Sequence, residues 1–135
     1  MTDKQEMTAE QQQAWLREQY QKSTKYLASK GLVTESVADT ESRYLIPLMA
    51  VWKINLLDKT KVWVISGDLP TDHLVLEQDE PARNVLRHFS FKWQVQADSL
   101  LQSSDPEQVK YAKLLISKAE GLYQLYDKDE LWQQA

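Results

Sequence analysis

Two apolar stretches separated by four polar residues constrain this chain more than any other feature. Tyr44-Leu45-Ile46-Pro47-Leu48-Met49-Ala50-Val51-Trp52-Lys53-Ile54-Asn55-Leu56-Leu57 and Val62-Trp63-Val64-Ile65-Ser66 flank Asp58-Lys59-Thr60-Lys61. Both stretches are rich in β-branched and aromatic residues, and so short a connector implies an antiparallel hairpin. Pro47 has no N–H to give to a ladder and therefore suits an edge or a strand start. Alternation along the first strand places Leu48, Ala50, Trp52, Ile54 and Leu56 on one face and Met49, Val51, Lys53 and Asn55 on the other. Register decides whether Trp52 and Trp63 share a face.

The rest of the chain supplies helices to cover such a sheet. Thr8 with Gln11 three residues on is a capping-box pattern, and Gly31 offers a left-handed stop, so a first helix is expected from Thr8 to about Lys30, with residues 1–7 frayed. Leu16, Tyr20, Ser23 and Leu27 form its inward stripe, flanked by Trp15 and Tyr26. Leu32 to Arg43 reads as a connection with at most a short helical turn. His73-Leu74-Val75-Leu76-Glu77 forms a third short strand or a loop. Asp79-Glu80-Pro81 opens a helix running to about Ser103, with Ala82, Val85 or Leu86, Phe89, Trp93, Ala97 and Leu100 inward. Asp105-Pro106 opens another, striped by Val109, Ala112, Leu115 or Ile116, Ala119, Leu122 or Tyr123, and Tyr126; Leu131 and Trp132 add a docked turn. The expected fold class is α+β: a small antiparallel sheet, hairpin or three strands, packed by an N-terminal helix and a C-terminal helix pair in a single domain over residues 1–135.

Composition removes several kinds of chemistry. With no cysteine there is no disulfide, thiolate nucleophile or thiolate metal site. The polar start Met1-Thr2-Asp3-Lys4-Gln5-Glu6 is unlike a secretory signal, so a cytoplasmic location is expected. Tyr44 to Trp52, the longest uncharged apolar stretch, falls far short of the roughly 20 residues that span a bilayer, and no membrane partner is expected. A net charge of −4 offers no general attraction to phosphate backbones, so nucleic acid is not an expected partner. Glycines at positions 31, 67 and 121 cannot build a phosphate-cradling loop, and no cofactor is expected.

Candidate site residues gather after the second strand, in Gly67-Asp68-Leu69-Pro70-Thr71-Asp72-His73. Asp68, Asp72 and His73 place two carboxylates and an imidazole in one turn, with His88 on the next helix. Such groups bind ligands, exchange protons near neutral pH or hold divalent ions. The simpler reading is structural: Gly67 with positive φ, Asp68 and Asp72 bonded to local backbone, and Pro70 fixing the corner. The Asp-x-x-x-Asp-His spacing matches no defined metal motif, and no metal site is expected. Trp52 and Trp63 flank the hairpin and are the best of five tryptophans for lining a pocket. Arg83 and Arg87, four apart, suit a solvated face paired with Glu80 or Asp79. Ser66 lacks the Gly-x-Ser-x-Gly elbow of a serine hydrolase.

Ala50-Val51-Trp52-Lys53, Trp63-Val64-Ile65-Ser66-Gly67-Asp68-Leu69-Pro70-Thr71-Asp72-His73 and Arg87-His88-Phe89-Ser90-Phe91-Lys92-Trp93-Gln94 together resemble an uncharacterised bacterial family of small domains of unknown function. The resemblance covers most of the chain after about residue 40 and implies no catalytic residue, because the family carries no established activity. The expectation is therefore a non-enzymatic cytoplasmic binding or regulatory protein that recognises a partner or small ligand through the Gly67 to His73 turn, with Trp52, Trp63 and His88 beside it. The alternatives are a metal-assisted or acid-base hydrolytic enzyme using Asp68, Asp72 and His73, and a structural homodimer using the hairpin edge or the first helix.

Overall fold

A computed structural model describes residues 6–133. The chain divides into two compact units, the first ending at Val75 and the second beginning at Leu76. The class is α+β: an N-terminal helix and an antiparallel sheet, followed by two C-terminal helices.

In the first unit, helix α1 spans Ala9–Ser29. The Thr8 hydroxyl accepts from the Gln11 N–H at 3.1 Å, and the Gln11 side chain accepts from the Thr8 N–H at 2.9 Å. The capping box is thus closed, satisfying two amides that a helix start otherwise leaves without partners. Gly31 follows the helix at φ +81. Glu6 and Met7 precede it without regular structure; for residues 1–5 the expectation of fraying lies outside the described residues.

The sheet consists of β1 (Thr34–Val37), β2 (Arg43–Leu45), β3 (Met49–Leu56), β4 (Lys61–Gly67) and β5 (Asp72–Leu74). Its order is β1-β3-β4-β5, with β2 also paired to β3, and every pairing is antiparallel. The expected hairpin is β3–β4. Two strands go beyond expectation. β1 lies where a connection is expected from polar Thr34-Glu35-Ser36-Val37, because an edge strand needs only one buried face and its ladder is made by backbone. Tyr44-Leu45 does not continue into the hairpin but turns at Ile46-Pro47, whose peptide bond is cis, and lies back on β3 as β2.

Register puts Trp52 opposite Val64 and Lys53 opposite Trp63. Directly paired residues share a face, so Trp52 and Trp63 lie on opposite faces of the sheet. Ala50, Trp52, Ile54, Leu56, Val62 and Val64 form one core with Leu27, against which Trp15, Leu16, Tyr20, Tyr26 and Tyr44 pack. Met49, Val51 and Ile65, on the other face, are also fully buried. The face assignment of β3 read from alternation is therefore the one that α1 covers, except that Leu48 falls in the turn before the strand.

In the second unit, α2 (Ala82–Leu101) and α3 (Pro106–Tyr126) are followed by a 3₁₀ turn at Asp129–Leu131. Asp105 caps α3 by accepting from the Glu107 N–H at 3.0 Å, with Pro106 at the first helical position. Val85, Leu86, Phe89, Trp93 and Ala97 of α2 and Ala112, Leu115, Ala119 and Leu122 of α3 are buried. The Ser90 hydroxyl ties the pair by donating to the Ala119 carbonyl at 2.8 Å. Trp132 donates its Nε1–H to the Leu125 carbonyl at 3.0 Å, which docks the tail as expected. Arg83 departs from expectation: it reaches forward to the Tyr126 carbonyl (2.8 Å) and Asp129 (2.5 Å), and the Arg87 guanidinium stands 5.9 Å from the Tyr126 ring centre.

Candidate functional site

The turn after β4 depends on one glycine. Gly67 has φ +133, and a Cβ there would stand 2.6 Å from both the Leu48 carbonyl oxygen and the Met49 Cα. Backbone therefore passes backbone at a distance no other residue permits. The Asp68 N–H donates to that same Leu48 oxygen at 2.9 Å, clamping the turn to the one before β3. The Asp68 side chain lies on the exposed side.

From this clamp the chain returns as β5, where His73 pairs with Val64 and Asp72 with Ile65. Sharing the face of Val64, His73 points to α1. Its Nδ1 lies 2.8 Å from the Tyr26 hydroxyl, and the two rings meet edge to face with centroids 5.4 Å apart. Asp72 Oδ1 accepts from the His73 N–H at 2.8 Å and from the Tyr26 hydroxyl at 3.3 Å. Tyr26 thus bridges a carboxylate and an imidazole from 46 and 47 residues away in sequence. A phenol has one proton to donate. Given to Asp72, it leaves His73 with the proton on Nδ1 to donate to Tyr26; given to Nδ1, it leaves the ring protonated at Nε2. The group therefore has two hydrogen-bond arrangements related by a proton shift.

The first unit also holds polar atoms seldom buried without reason. Gln19 and Ser23, at four- and three-residue spacings along the Tyr26 side of α1, are 8% and 0% exposed. Gln19 Oε1, Ser23 Oγ, Thr34 Oγ1 and Thr71 Oγ1 have no hydrogen-bond partner among the described residues. Leaving such an atom unsatisfied costs about 1–3 kcal/mol.

The other expected residues are placed differently. Trp52 is core: its Nε1–H donates to Ser66 Oγ at 3.1 Å, and its ring packs on Tyr20 (5.4 Å) and Tyr44 (4.8 Å). Burial raises the Tyr20 pKa. Burial, then the hydrogen bond to Asp39, raises that of Tyr44 well above the ordinary tyrosine value. Trp63 is equally buried on the opposite face, 5.6 Å beneath the Lys53 ammonium. The two tryptophans therefore do not line one pocket. His88 belongs to the second unit, where its Nε2 meets the Glu80 carboxylate at 3.1 Å. Among the described residues no three His, Asp or Glu side chains converge to hold a metal ion, so Asp68, Asp72 and His73 are not a three-ligand set. No described helix is long and apolar enough to cross a membrane.

Two participants escape a reading by segment. Tyr26 looks like a flank of the α1 stripe, and its only local signal is a polar tip beside an apolar face near the helix end. Lys53 is 5% exposed, salt-bridged to Glu41 at 2.7 Å. Its signal is a single charge between Trp52 and Ile54 in a strand that carries no other.

The model of one family, described as a domain of unknown function (DUF4826), matches residues 9–132. The chain belongs to this family. The matched span runs from the first residue of α1 to the docked Trp132, so it takes in Tyr26, the Gly67 clamp and the Asp72-His73 pair together. Comparison with curated proteins and with solved structures gives no match.

Proposed function

We propose that this is a non-enzymatic cytoplasmic binding or regulatory protein that recognises a partner or small polar ligand through the Gly67 to His73 turn, with Tyr26 as the α1 contribution to the same site. The observation that carries the reading is the Tyr26–Asp72–His73 group, a half-buried donor and acceptor set held on rigid elements by the Gly67 clamp. Buried Thr71 Oγ1, next to Asp72 in the chain, and Ser23 Oγ, one helical turn before Tyr26, support it, since a polar ligand gains most where it satisfies atoms already withdrawn from water.

A ligand that binds only the folded state raises its unfolding midpoint, by an amount equivalent to about 2.7 kcal/mol at a hundredfold excess over Kd. Thermal unfolding against a panel of metabolites and divalent ions, repeated with Tyr26→Phe and Asp72→Asn, tests the proposal. The expected result is a stabilising compound whose effect both substitutions abolish. A stabilising compound indifferent to both would place binding elsewhere.

The bridge from Asp72 through Tyr26 to His73 also favours a second reading, acid-base hydrolysis, because it offers a route for a proton between carboxylate and imidazole. Turnover of a hydrolysable ester or phosphate that falls with His73→Gln and has a pH optimum near neutrality would support it. Turnover unchanged by His73→Gln would remove it.

A further inference from the structure

The second unit carries a surface that nothing so far explains. Phe91 and Val95 of α2 are 68% and 54% exposed, four residues apart and on the side away from buried Phe89, Trp93 and Ala97. Arg87 lies four residues before Phe91 and Asp98 three after Val95, so Arg87, Phe91, Val95 and Asp98 make a single exposed stripe. Beside its acidic end, Gln94 and Asp98 of α2 and Ile116 and Glu120 of α3 line an open groove of about 420 Å³. A cation, two apolar side chains and an anion in this order meet their complement when the helix is turned end for end against a copy of itself.

We propose that this face of α2 is an isologous interface between two copies of the chain. A two-fold axis passing between Phe91 and Val95 pairs the helices antiparallel, with Phe91 of each copy on Val95 of the other. It brings Arg87 of each copy to the Asp98 and Glu120 end of the other copy's groove. The complementarity of charge is what selects a second copy as occupant, because both halves of the match are written on one stripe. Two apolar residues per copy with flanking ion pairs make a small surface, so the dimer is weak, with a Kd of about 10–100 μM.

Sedimentation velocity of the full chain from about 5 to about 500 μM tests this. The wild type is expected to pass from monomer to dimer over that range, and Phe91→Glu to remain monomeric throughout. Arg87→Glu and Asp98→Arg should each weaken dimerisation by about tenfold or more, and the double exchange Arg87→Glu/Asp98→Arg should recover most of the loss, because it rewrites the same pair with its signs reversed. These positions are exposed; Arg87 also stands over the Tyr126 ring, so Phe91→Glu and Asp98→Arg test the interface without disturbing that contact. A wild type that stays monomeric, a dimer indifferent to Phe91→Glu, or a double exchange no tighter than the single ones would each overturn the proposal.

Discussion

The two ends of the β3–β4 hairpin solve one problem in different ways. Both need a residue with positive φ. At the Asp58–Thr60 end it is Lys59, at φ +74, with its exposed side chain reaching Glu35 at 3.1 Å. At the other end it is Gly67, with a carbonyl oxygen and a Cα where a side chain would be. The first end only reverses the chain, and a lysine tolerates the strain. The second joins two turns and brings Asp72 and His73 to Tyr26 of α1, and there only glycine fits. Conformation alone therefore does not mark a residue as indispensable; conformation combined with close backbone approach does.

The largest effect expected of this difference is from Gly67→Ala, which should lower stability by more than about 2 kcal/mol, because strain at positive φ adds to displaced backbone. Chemical denaturation measures it, and a loss no greater than that of a surface substitution would erase the distinction between the two ends. Tyr26→Phe should follow at about 1 kcal/mol, the loss of one hydroxyl shared by two partners, and should change the nitrogen chemical shifts of the His73 ring.

Titration sharpens the contrast further, since acid and alkali act at opposite ends. Asp58 has a lowered pKa because the Thr60 hydroxyl and N–H donate to it. A carboxylate lowered in the folded state stabilises above its unfolded value, 3.8, and that contribution is lost as pH falls through the folded one. Asp58→Asn should flatten the acid limb of a plot of unfolding midpoint against pH. Tyr44, paired with Ala50 near the Gly67 end, has a raised pKa, so its contribution is complete below the usual tyrosine value of 10.0 and fades as pH rises above it. Tyr44→Phe should flatten the alkaline limb while leaving the acid limb unchanged. The smallest effect is the reverse of the first: Lys59→Gly should stabilise by about 0.5–1 kcal/mol, seen as a raised denaturation midpoint, because it relieves the left-handed strain and gives up only an exposed ion pair with Glu35.

Much of the architecture is legible in local sequence. Thr8 with Gln11, Asp105 with Pro106, and Gly31 each act within one helical turn, and each helix end lies within about two residues of where those signals put it. The β3–β4 hairpin follows from alternation and a short connector in the same way. β1 and β2 were harder to foresee because their stability comes from the ladder with β3, which belongs to no single segment. The candidate site divides likewise. Asp72 and His73 are adjacent in sequence and stand out as chemistry, whereas Tyr26 reaches them only because α1 lies across the sheet.

The sequence by itself determined the caps, the hairpin, the place of Gly67 and the inward stripes of the three helices, because each depends on contacts within a few residues. Only the tertiary structure decided that Trp52 and Trp63 lie on opposite faces, that Lys53 is buried beside Glu41, and that Tyr26 meets Asp72 and His73. Register and helix placement are set by the sum of many weak side-chain contacts between distant segments, and a shift of one residue along a strand turns every side chain to the other face.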